Sequence, residues 1–240
     1  MQKIGVRSDA RSILKRAIAC FGPKADWNRH QIGFRLLRQA SALGCVEADE
    51  WLGAAYEYGL GTRPNRRRAF EQYLRAAKAG GANGQYNVGV FYYCGISIPK
   101  NYRVAIRWLN KAARQRIAEA WDVLGKCYRY GRGVKKNFRK GFKLELAAAR
   151  KGVTEAQFSV GLCLSRGEGV RSDPEEAFRW YLKAAKKGHD DAAHNVAYYY
   201  EQGRGVRQDL RRALEWYRKA AQLGDKEAQW ALRRLKSQQA

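Results

Sequence analysis

A glycine recurs every 36 residues along this chain, at Gly59, Gly95, Gly131, Gly167 and Gly203, and no other feature restricts its possible folds as tightly. A fixed period of roughly 20–50 residues marks a chain assembled from one supersecondary unit stacked on copies of itself. A second glycine two places on, at Gly61, Gly133, Gly169 and Gly205, completes a G-x-G, and Ser97 stands in its place in the remaining unit. An Ala-Ala pair keeps the same interval at Ala76 and Ala77, Ala112 and Ala113, Ala148 and Ala149, Ala184 and Ala185, and Ala220 and Ala221.

The spacing inside each unit predicts two helices. Helix A begins near Ala48, Gly84, Ala120, Ala156, Ala192 and Ala228. It carries a small residue at Gly53, Gly89, Gly125, Gly161 or Ala197, and since an interior glycine costs a helix about 1 kcal/mol relative to alanine, a close helix–helix approach is the compensating reason. The G-x-G then turns the chain, glycine reaching positive φ without a steric penalty. Helix B starts after Asn65, Asn101, Asn137, Asp173 or Asp209, all strong N-cap types. Apolar residues follow at helical spacing, as in Ala177, Phe178, Tyr181, Ala184 and Ala185. Gly80, Gly152, Gly188 and Gly224 close helix B from the left-handed position, while Arg116 occupies that place once and predicts a strained exit after Gln115.

Composition supports a folded chain, with 45% hydrophobic and 12% aromatic residues over 240 positions. The formal net charge of +25 would attract nucleic acid, an acidic protein surface or an anionic membrane without choosing among them. Net charge is +7 over residues 120–155 and zero over 156–191, so the excess is concentrated in the middle of the chain. Cys20, Cys45, Cys94, Cys127 and Cys163 form no C-x-x-C pair, which fits a reducing compartment. No stretch approaches the ~20 apolar residues of a membrane span and the basic start lacks a cleavable signal pattern, so a soluble, cytoplasmic protein is expected.

The pattern L-G-x-x-Y, G-x-G-V and D-x-x-x-A-x-x-W-Y-x-x-A-A-x-x-G resembles the Sel-one-like repeats, relatives of the tetratricopeptide repeats. Gly167 to Val170, Asp173, Ala177, Trp180, Tyr181 and Gly188 carry it, as do Gly203 to Val206, Asp209, Ala213, Trp216, Tyr217 and Gly224. The resemblance implies an all-α fold, a right-handed α-α superhelix of helical hairpins acting as an adaptor or scaffold. Residues 1–47 read as a degenerate capping repeat, 48–227 as five full repeats and 228–240 as a closing helix.

Carrying the tetratricopeptide register over turns the third, seventh and tenth positions of helix A toward a partner. Those positions are Glu50, Ala54 and Glu57; Tyr86, Val90 and Tyr93; Asp122, Lys126 and Arg129; Phe158, Leu162 and Ser165; His194, Tyr198 and Glu201. Of these, Tyr86, Tyr93, Lys126, Arg129, Phe158, Leu162, His194 and Tyr198 are the expected contacts to another protein or peptide, an acidic one included, with aromatics as anchors and charges setting register. The alternative is an anionic partner, nucleic acid or acidic protein, held by Arg132, Lys135, Lys136, Arg139, Lys140 and Lys143. The bland reading of that cluster is a solvated helix face. No aromatic–basic pair repeats at a fixed inward position, which disfavours base-by-base RNA reading.

Glu47, Glu119, Glu155, Asp191 and Glu227 recur at helix A starts and read as partners of the helix dipole rather than a carboxylate array. His30, His189 and His194 have no metal-ligand spacing, so neither metal nor cofactor is expected, nor an enzyme. Ser12 to Lys15 spells S-x-x-K, and some cysteine-rich relatives are credited with β-lactam binding, but the companion S-D-N and K-T-G elements are missing. Cys127 and Cys163 read as buried apolar fillers.

Overall fold

The computed structural model describes residues 2–237, with side chains over 9–235. Residues 238–240 of the expected closing helix lie outside the described residues. The fold is all-α. Helix A of successive units is α3 (Val46–Tyr58), α5 (Ala82–Cys94), α7 (Ala118–Tyr130), α9 (Thr154–Arg166) and α11 (Asp190–Gln202), each starting two residues earlier than the spacing predicts. The earlier start has a local cause: the residues before it, such as Cys45, Gly81, Val153 and His189, already have N-cap geometry with helix beginning at the next position. Helix B is α4 (Arg66–Lys78), α6 (Tyr102–Arg114), α8 (Phe138–Arg150), α10 (Pro174–Ala185) and α12 (Leu210–Gln222). Before them run α1 (Gln2–Ile18) and α2 (Trp27–Ala42), joined through a short 3-10 turn at Ala19–Phe21; α13 (Lys226–Ser237) follows them.

The chain divides into two compact units, residues 1–120 and 121–240. Within each, successive helices pack as hairpins. The predicted caps are in place: the side chains of Asn65, Asn101, Asn137, Asp173 and Asp209 each accept the backbone N–H three residues on. Arg116 does adopt the left-handed conformation, φ +66°, where the other units have glycine, and Ser97 does so at +56°.

The small positions of helix A explain how each hairpin closes. A Cβ at Gly161 would lie 2.6 Å from the Tyr181 ring, and one at Gly89 would lie 2.7 Å from Leu109. Helix B therefore seats a large side chain directly on the backbone of helix A. The second glycine of the turn joins one hairpin to the one before: at Gly169 a Cβ would overlap the Phe138 carbonyl, and at Gly205 that of Pro174. Tyr181, Tyr199, Tyr217, Val160 and Val196 fill the core of the second unit, and Leu37, Tyr73, Val88, Phe91 and Leu109 lie buried in the first.

Candidate functional site

Residue 16 places beyond the tenth-position side chain of helix A lies opposite it on helix B, and the pair changes chemistry from unit to unit. Tyr73 donates its hydroxyl to Glu57 at 2.9 Å and Tyr217 donates to Glu201 at 2.8 Å. In the third full unit the pair is Arg129 and Glu145, with Nε and Oε1 3.3 Å apart. Arg129 is 1% exposed and Glu145 fully buried, so Arg129 is not a surface contact as the register predicts. The cause is Gly125 and Gly141, which bring α7 and α8 so close that a Cβ at Gly141 would lie 2.9 Å from the Gly125 carbonyl. Burial pushes the Glu145 carboxyl up to about 7 against the pull of Arg129. Cys163 joins this group, its thiol 3.5 Å from Glu145 Oε2 and 3.6 Å from Arg129 Nη1, and burial drives its pKa up to about 12. Cys127 and Cys163 are both buried, but Cys163 has charged neighbours rather than a purely apolar surround.

Lys126 is also committed internally, to Asp122 at 2.9 Å and Glu155 at 3.1 Å. Burial works against its charge, yet the two carboxylates raise its pKa overall. Glu155 is held down to about 2, first by hydrogen bonding to His189 and then, against some desolvation, by Lys126. Phe158 meets the His189 ring at 4.4 Å between centroids with the planes tilted by 32°, and Leu162 packs on the core. Tyr93 meets the Tyr102 ring at 5.4 Å.

The expected contacts that do line open space fall into two hollows. The first, in the first unit, has a volume of about 370 Å³ and includes Glu50, Trp51, Ala54, Tyr73, Asn83 and Tyr86 in its wall. The second, in the second unit, has a volume of about 420 Å³ and includes His194, Tyr198, Glu201, Tyr217, Trp230 and Arg234. Tyr198 is 40% and Trp230 66% exposed. His194 Nδ1 sits 2.6 Å from Asp225 Oδ2. Trp51, Asn83, Trp230 and Arg234 were outside the expected set. Trp230 and Arg234 were findable, because they continue the inward register 36 residues beyond His194 and Tyr198 into the closing helix.

From α3 to α6 charge separates by helix. Helix α3 has Glu47, Asp49, Glu50 and Glu57 with no basic residue, and α5 has no charged residue at all. By contrast α6 has Arg103, Arg107, Lys111 and Arg114 with no acidic residue, and α4 has five basic residues against Glu71. In the middle cluster Lys135 and Lys136 of the turn and Arg139, Lys140 and Lys143 of α8 are all exposed. Lys140 Nζ lies 4.0 Å from the Tyr128 ring centroid and 2.7 Å from its hydroxyl, Lys136 stands 4.3 Å over Phe138, and Arg132 5.1 Å over Tyr130. Lys135, Arg139 and Lys143 make no ion pair among the described residues. Ser12 and Lys15 of the S-x-x-K lie on α1, both exposed. No helix among the described residues is long and apolar enough to cross a membrane.

Comparison with known proteins agrees with this architecture. A sequence model described as Sel1 repeat matches residues 20–45, 46–81, 82–116, 123–153, 154–189 and 190–225, adding a sixth copy in the segment read as a degenerate cap. A Sel1 repeat protein from Oxalobacter formigenes is 31% identical, with a TM-score of 0.79 over 93% of this chain and 86% of its own. A protective antigen of uropathogenic Escherichia coli with an SLR fold is 25% identical at TM-score 0.78, covering 97% of this chain and 51% of that one. An immunity protein from Pseudomonas aeruginosa, 22% identical with TM-score 0.58 over 89% of this chain and 81% of its own, shares the fold. A search of the curated proteins found no match.

Proposed function

The chain belongs to the Sel1 repeat family, whose repeats mediate protein–protein interaction, and from that premise we propose that it is a non-catalytic scaffold whose partner, a protein or peptide, docks on the helix A surface. The observation that carries this reading is the pair of aromatic-lined hollows, both built from the same register positions of helix A. Exposed Tyr and Trp beside polar groups are the anchors that protein interfaces use most. The separation of charge adds direction: the basic excess lies mainly on helix B, so the helix A surface of the first unit does not suit the acidic partner that net charge alone invites.

A photo-crosslinking amino acid placed at Val90 or Tyr198, and for comparison at Arg107 or Lys143 on helix B, tests the reading in cells that express the protein. Protein crosslinks from the first two positions and not from the others are expected. Crosslinks confined to helix B, or running to nucleic acid, overturn it. The exposed Lys135, Arg139 and Lys143 favour the second reading, an anionic partner on the basic middle. That reading requires nucleic-acid binding with a steep salt slope that is lost in a K135E/K136E/K140E/K143E variant.

A further inference from the structure

The two hollows share part of their construction four repeats apart, and comparing the equivalent positions identifies a missing group. Four positions at and beside the first have counterparts 144 places on: Tyr73 and Tyr217, Tyr86 and Trp230 in the walls, with Glu57 and Glu201, Val90 and Arg234 next to them in sequence register. In the second hollow Arg234 Nη2 binds Glu201 Oε1 at 2.5 Å, and its guanidinium lies 5.5 Å from the Trp230 ring centroid. Tyr217 donates to the other oxygen of the same carboxylate. The protein thus fills this carboxylate–aromatic arrangement with its own arginine.

At the first hollow the wall residue Tyr73 donates to Glu57 behind it in the same way, but Val90, one turn beyond Tyr86, stands at the register position of the arginine. Glu57 makes no ion pair among the described residues. Glu50 and Glu119 add two further carboxylates, and no basic residue lines the space. Glu50 is oriented by Asn83 Nδ2 at 3.1 Å and the Gly84 N–H at 2.9 Å. Tyr86 supplies a ring at the position of Trp230. The Asn87 side chain, also in the wall, makes no hydrogen bond among the described residues, leaving an amide able to donate to and accept from a peptide backbone. Carboxylates beside aromatic faces in a partly desolvated hollow bind a cation whose aliphatic stem lies along the rings.

Resting on the helix A docking reading above, we infer that the first hollow takes the cationic side chain, arginine before lysine, of a basic partner segment. Arginine is preferred because its planar fork can bind a carboxylate and stack on a ring at once, as Arg234 does.

The test measures fluorescence anisotropy of a labelled hexapeptide of alternating Gly and Arg, alongside the same peptide with citrulline for arginine. The wild type is compared with Val90→Arg, which installs the internal arginine, with Glu57→Gln, and with Gln222→Arg, which adds the same charge on exposed α12. At least tenfold weaker Arg-peptide binding to V90R and E57Q, with Q222R within twofold of wild type, is the expected result. Equal loss in V90R and Q222R means only long-range repulsion and overturns the inference. Equal binding of both peptides, or none of the Arg peptide, overturns it too, while crosslinks from Val90 to a protein would leave the scaffold reading intact. Circular dichroism reports whether V90R folds; if it does not, E57Q decides.

Discussion

Replacing Arg129 by Met should destabilise the second unit far more at pH 8 than at pH 5, because the partner left behind is a fully buried carboxyl. Glu145 titrates near 7 in the folded chain against an ordinary value of 4.5. A raised carboxylate pKa means that the unfolded chain releases its proton first. Stability from this group is therefore fully present below about pH 4.5 and is lost as pH rises through 7. At 1.36 kcal/mol per unit, that loss is of order 3 kcal/mol, and it is already present in the wild type.

Removing Arg129 takes away the attraction that opposes burial, so the Glu145 pKa rises further and the loss extends above pH 7. At pH 5 Glu145 is neutral in the folded forms of both proteins, and the substitution removes only a buried cation with partial compensation from Glu168, 3.6 Å away. At pH 8 the cost should approach the ~3–5 kcal/mol typical of breaking a buried pair. The double variant R129M/E145L should recover most of it. Leucine is what helix B carries at the equivalent Leu109, and replacing a buried pair by apolar groups of similar size is often neutral or stabilising. Urea unfolding followed by Trp fluorescence at the two pH values measures all three proteins. A pH-independent cost for R129M, or a double variant no more stable than R129M, would refute the argument that desolvation of Glu145 dominates this core.

Three smaller perturbations test the backbone logic. Arg116→Gly should stabilise by about 1 kcal/mol, since a non-glycine residue at φ +66° pays roughly 1–2 kcal/mol for the left-handed conformation and glycine returns part of this as chain entropy; a lower urea midpoint would count against it. Gly169→Ala, whose Cβ would overlap the Phe138 carbonyl, should increase amide exchange in α8 and α9, and unchanged protection would contradict the close approach. Asn137→Ala removes the acceptor for the Lys140 N–H and should cost about 1 kcal/mol, measured by the shift in urea midpoint at unchanged m-value.

The repeat architecture was legible because the positions that define it each have a single physical cause. Glycine is favoured where φ is positive, Asn or Asp where the N-cap of helix B accepts, and a small residue where a ring rests on the opposing backbone. A period makes such signals add. The start of helix A was displaced by two residues because its caps are Cys45, Gly81, Val153 and His189, which share no sequence signature. The face of helix A was also readable, but the state of its residues was not. Lys126 and Tyr198 hold one register position, yet the first is locked between two carboxylates and the second stands open to solvent.

Net charge is coarse for a related reason. A count along the chain places the excess in a segment, whereas a partner meets a helix face. In the first hairpin most charges of helices A and B belong to different faces although they are adjacent in sequence, Asp49 and Arg75 being an exception that pairs across it. Summing over a 36-residue unit mixes them: α3 and α4 together come close to neutrality, four acidic residues against a net four basic. The separation becomes visible only when residues are assigned to their helices. It is this separation on α3 to α6 that the proposed docking of a basic side chain rests on. The same reasoning makes the first hollow the more informative target, because Arg234 already occupies the second.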